Sequence, residues 1–245
     1  MFDNLFNMDN AFWRTMTLVA DLLLVNVLFI VCSLPIITIG ASATALYTVT
    51  LKQVKRQEGY ITTTFFKAFK ENFKQSTVIW LIMLVGGALL GLDIYLFKTT
   101  EMPGEKIIHY LVAFVCLTYV ITLCYVFPLQ SKFVNSVKQT MKNALLLSIA
   151  NFFPRTILIV ILHALPIVFL LINPVMMAYV MPVMVFGGFA LIAYLSSMIF
   201  VKIFARYMPE EETDTFDIDS DEYSIEDAKT EETTELIEEK DNTEM

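Results

Sequence analysis

Leu18-Val-Ala-Asp21-Leu-Leu-Leu-Val-Asn26-Val-Leu-Phe-Ile-Val-Cys32-Ser-Leu-Pro35-Ile-Ile-Thr38-Ile39 decides the fold. An apolar run of about 20 residues crosses the hydrocarbon core as a helix. No water is available there, so every backbone polar group must bond within its own segment. Four further stretches read the same way: Thr77–Phe97, Ile107–Leu129, Thr156–Ile172 and Pro174–Val201. The expected fold is all-α: a polytopic membrane helix bundle with about five transmembrane helices, amphipathic cytoplasmic helices and a disordered acidic tail.

Composition agrees. Of 245 residues, 56% are hydrophobic and 17% charged, whereas a soluble domain is about a quarter charged. The net charge of −8 joins two parts of opposite sign. Residues 209–245 hold 17 Asp/Glu and 2 Lys, or −15, and residues 1–208 hold 15 Lys/Arg and 8 Asp/Glu, or +7. The expected domains are therefore a transmembrane part, 1–208, and the tail, 209–245. The tail is too poor in apolar residues to bury a core. It either solvates the chain or shields the basic segments electrostatically, an effect that salt weakens.

The first apolar run resembles a signal peptide only at Ala41-Ser42-Ala43. It is longer than a signal h-region and has no basic segment before it, so it reads as a retained helix. Cys32, Cys116 and Cys124 fall within apolar spans and read as small hydrophobes.

Lysine and arginine between the spans set a direction. The segment before the first span has Arg14. Connection 40–76 has six (Lys52, Lys55, Arg56, Lys67, Lys70, Lys74), connection 98–106 has two and connection 130–155 has four. Lys202 and Arg206 follow the last span. With the N-terminus outside and the C-terminus inside, 12 lie inside and 3 outside. The positive-inside rule favours that arrangement.

Two inside connections have helical, amphipathic spacing. In Thr62–Lys74, Phe65, Phe66, Phe69 and Phe73 share one arc, and Lys67, Lys70 and Lys74 another. Such a helix lies in the membrane interface with its ammonium groups toward anionic headgroups. It also reads as a cytoplasmic extension of the next span, or as a docking surface for a partner's cytoplasmic domain. Gln130–Ser148 repeats the pattern more weakly. No nucleic-acid-binding fold accompanies these basic helices.

Polar groups within spans are costly and mark functional candidates. They are Asp21, Asn26, Asp93, His109 and His163, with Arg155 at a boundary. Asp21, Asp93 and His109 fall near the outer ends, within reach of water. His163 lies mid-span beside Pro166, where a neutral imidazole bonded to a backbone carbonyl is the plain reading. Asn26 and Ser33 share a face suited to interhelical bonding. Gly87 and Gly91, and Gly187, Ala190, Ala193 and Ser197, form small-residue packing faces. Pro35 and Gly40 mark a helix bend at the inner boundary. No phosphate loop, HExxH, GxSxG or dinucleotide fingerprint occurs, so neither an enzyme nor a cofactor is expected.

Asp21-Leu-Leu-Leu-Val-Asn26, Cys32-Ser-Leu-Pro35-Ile-Ile-Thr38-Ile-Gly40 and Thr44-Ala-Leu-Tyr47 resemble the YesL-like family of bacterial integral membrane proteins, a family of unknown molecular function. The likeness continues through Glu58-Gly59-Tyr60, Phe65–Gln75 and Trp80, then thins to a shared hydropathy pattern. It implies a multi-pass protein of the bacterial cytoplasmic membrane that assists carbohydrate uptake, with subunits of ABC-type sugar transporters as partners. It assigns no catalytic or ligand residues. A small transporter acting on its own, using Asp21, Asp93 and the proline-broken helices, is the competing expectation.

Overall fold

The computed structural model describes residues 11–57, 59–99 and 105–208; the acidic segment 209–245 lies outside the described residues. The described residues from Ala11 to Phe204 belong to one compact unit. The described residues form helices and turns with no strand. Eight α-helices follow in order: α1 (Ala11–Ser33), α2 (Ile39–Lys55), α3 (Ile61–Thr99), α4 (Glu105–Lys132), α5 (Val137–Ala150), α6 (Ile157–Ile172), α7 (Met177–Val183) and α8 (Phe189–Phe204). Among the described residues, five segments are long and apolar enough to cross a membrane: Phe12–Ser33, Ile61–Leu96, Ile108–Lys132, Phe152–Phe169 and Met177–Phe204.

Three expected boundaries are corrected. The first span does not run to Ile39: α1 ends at Ser33, and Pro35 is extended at φ −74°, ψ 119°. Proline lacks an N–H and disfavours helical backbone in the residue before it. Thr38 Oγ1 then donates to the free carbonyl of Cys32 at 2.6 Å, closing the end of α1. The second span has no start of its own at Thr77, because α3 is one helix of 39 residues. At 1.5 Å per residue it is about 58 Å long, well beyond a bilayer's hydrocarbon core. The Phe/Lys stretch is the first half of that helix. The fifth span is not one helix from Pro174, since Gly187 (φ 157°) breaks it between α7 and α8.

The largest departure lies in 40–76, read above as a connection. Its first part is α2, the centre of the bundle, with ten of 17 residues buried. It packs on α1, α3, α4 and α8. Its buried residues include Gly40, Ala41, Ser42, Thr44, Ala45 and Thr50. Small side chains let helix backbones approach closely. A Cβ added to Gly40 would lie 2.6 Å from the Cβ of Trp80 and would strike the Ser76 carbonyl oxygen. The helix ends where Arg56 enters the left-handed region at φ 58°.

Candidate functional site

The interior around α2 is polar. Residues 44, 47 and 50 follow one another at three-residue spacing along one side of a helix, and each reaches a different neighbour. Thr44 Oγ1 and Ser76 Oγ of α3 are 2.8 Å apart. Thr50 Oγ1 and Ser197 Oγ of α8 are 2.9 Å apart. Tyr47 packs edge-on against Phe200, with ring centroids 6.1 Å apart, so α2 and α8 run antiparallel.

The Tyr47 hydroxyl meets His163 Nε2 of α6 at 2.9 Å. His163 Nδ1 lies 2.8 Å from the Ile159 carbonyl oxygen. A carbonyl only accepts, so Nδ1 carries the proton; in the neutral ring Nε2 then accepts from Tyr47. The plain reading of His163 included the carbonyl contact; the phenol across the bundle is additional. Tyr125 extends the seam, its hydroxyl 2.6 Å from Thr156 Oγ1, with its ring against Phe200. The Ser42 hydroxyl of α2 is buried without a hydrogen-bond partner among the described residues.

Asn26 is fully buried and spans the break in the last helix. Its Nδ2 donates to the carbonyls of Met184 at 3.1 Å and Val185 at 2.8 Å. Its Oδ1 accepts from the Ala190 N–H at 3.0 Å. Positive φ at Gly187 frees these backbone groups, and one carboxamide supplies the complementary donors and acceptor.

The remaining candidates are not gathered into one site. Asp21 is half-buried beside Gln53 of α2. Asp93 on α3 and His109 on α4 are both exposed. Pro35 and Gly40 flank the turn between α1 and α2, and Trp80 Nε1 donates to the Ile36 carbonyl there at 2.8 Å. No group of three His, Cys, Asp or Glu side chains with metal-binding geometry occurs among the described residues.

The seven Phe/Lys residues divide between core and surface. Phe65 is fully buried and therefore unavailable to a partner, with Phe69 stacked on it at 6.4 Å. Phe66 (43%), Phe73 (37%) and the three lysines Lys67, Lys70 and Lys74 are exposed. This half of α3 is fixed by amides to α4 and to the turn before α5. Gln75 Nε2 donates to Gln130 Oε1 at 3.0 Å and to the Asn135 carbonyl. Gln130 Nε2 donates to Asn72 Oδ1 at 3.2 Å, and Thr140 Oγ1 to Gln130 Oε1 at 3.1 Å. These residues were not among the sequence candidates, although Asn72 and Gln130 lie on segments read as helical from their spacing.

A family model described as "Protein of unknown function, DUF624" matches residues 22–94. That stretch holds the second half of α1, all of α2 and most of α3, and with them Asn26, Tyr47 and the basic face. No curated protein and no solved structure matches the chain.

Proposed function

We propose that the protein is a non-enzymatic accessory of carbohydrate uptake in the bacterial cytoplasmic membrane, docking subunits of an ABC-type transporter on its cytoplasmic face. One observation carries this reading. Phe66 and Phe73 stand exposed beside Lys67, Lys70 and Lys74, on the first half of the 39-residue helix α3. Exposed aromatic rings beside mobile charges suit an acidic, partly apolar protein surface. The basic connections favour placing this half inside, with the N-terminus outside and the C-terminus cytoplasmic. The sugar-uptake assignment draws on the YesL-like resemblance alone. Co-purification in mild detergent at native expression tests it. Recovery of a transporter subunit with the wild type is expected, and recovery of none would sink the proposal.

A second reading, a small transporter acting on its own, has the Tyr47–His163 seam and the broken last span in its favour. Proteoliposomes that accumulate a sugar or an ion would favour it, and inactive ones the first reading.

A further inference from the structure

We infer that residues 167–186 form a hinged hairpin that swings about Pro166 and Gly187, with Asn26 as its latch. The burial pattern changes at those two residues. On α6, Ile159 is fully buried and His163 is tied to Tyr47. Past Pro166, the described side chains of 167–172 are all exposed. In α7 every residue but Val180 is exposed, and burial returns at Gly188 and Ala190. Consecutive helical residues point about 100° apart, and the inward face of this stretch narrows to one row, Met176, Val180 and Met184, each half-buried and none fully buried. Here α7 rests chiefly on α6 and on the turns beside it.

Both ends of the hairpin have the backbone chemistry of a hinge. Pro166 has no N–H to give the carbonyl four residues earlier, which loosens α6 at that point. At Gly187 the φ of 157° favours glycine and interrupts the span. Asn26 binds both sides of this second hinge. Met184 and Val185, on the hairpin side, accept from its amide, and Ala190, on the bundle side, donates to its oxygen. The same side chain therefore bridges the joint, while the Tyr47–His163 bond anchors the fixed half of α6. Releasing the Asn26 bonds to Met184 and Val185 frees the hairpin side of the joint, while the Ala190 bond belongs to α8 on the bundle side. The release uncovers Asn26 of α1, which is fully buried while these bonds are made. This device is independent of the partner proposed above.

Spin labels at Val175→Cys and Leu24→Cys, with Cys32, Cys116 and Cys124 changed to alanine, test it in lipid nanodiscs by pulsed electron resonance. With Asn26 present, one short-distance population should dominate. Asn26→Ala should add a longer-distance population several-fold larger than any present in its parent. Asn26→Asp keeps the acceptor for Ala190 but loses the amide donor, and should open the hairpin likewise. An unchanged distribution in either folded variant overturns the inference. Failure of both variants to fold overturns it as well, because Asn26 would then belong to the framework and not to a latch.

Discussion

Gly40 sets the closeness of α2 and α3, since a methyl group there would meet Trp80 and the backbone of Ser76. Overpacking a tight contact costs about 1–3 kcal/mol. Gly40→Ala should lower unfolding stability in detergent by that amount, as read from denaturant titration; an unchanged midpoint would contradict the contact. Tyr47→Phe keeps the ring against Phe200 but removes the donor to His163. The loss should be about 1 kcal/mol, and His163→Phe in the Tyr47→Phe background should then lose less than it does alone. Asn26 and His163 were legible as intramembrane polar groups. Their partners were not. The carbonyls that Asn26 binds become available only through the Gly187 break, and Tyr47 lies 116 positions from His163.

At the scale of elements, hydropathy located the helices that meet lipid and missed the one they surround. A lipid-facing side chain must be apolar, but a helix enclosed by other helices needs small residues and satisfied hydroxyls. α2 meets that requirement with Gly40, Ala41, Thr44, Ala45 and Thr50. Three-residue spacing of Thr44, Tyr47 and Thr50 was the available sign of an interior face. Interhelical hydrogen bonds in membranes average about 0.6 kcal/mol in double-mutant cycles. A cycle of Thr50→Val with Ser197→Ala should therefore return coupling of that order, measured by unfolding in detergent. Zero coupling would mean that the two helices are held by packing alone. The Phe/Lys helix was legible from its spacing, and its continuity with the next span was among the alternatives. What the spacing did not separate was Phe65, which faces the core, from Phe66 and Phe73, which do not.

Across the whole molecule, charge and polarity are segregated. Described side chains in the spans are mostly apolar where exposed, while Asn26, Thr44, Thr50, Thr140, Thr156 and Ser197 are fully buried. The lysines Lys67, Lys70 and Lys74 of α3 and Lys138 and Lys142 of α5 are exposed, and Gln75 ties α3 to Gln130 of α4 and to the Asn135 carbonyl in the turn before α5. A docking role for this face makes binding electrostatic in part. Lys67→Glu, Lys70→Glu and Lys74→Glu together should abolish co-purification of the partner while leaving the bundle folded, because all three point away from the core. Recovery of the wild-type complex should also fall as salt shortens the screening length from about 10 Å at 0.1 M to about 3 Å at 1 M.

All of this requires the lysine-bearing half of α3 to face the cytoplasm. Single cysteines at Phe66 and Tyr95, near opposite ends of α3 and both exposed, report it directly in a background where Cys32, Cys116 and Cys124 are alanine. With a membrane-impermeant maleimide on intact cells, Tyr95→Cys should label at once, and Phe66→Cys only after permeabilisation. Labelling of Phe66→Cys from outside would contradict the orientation and, with it, the proposed docking face.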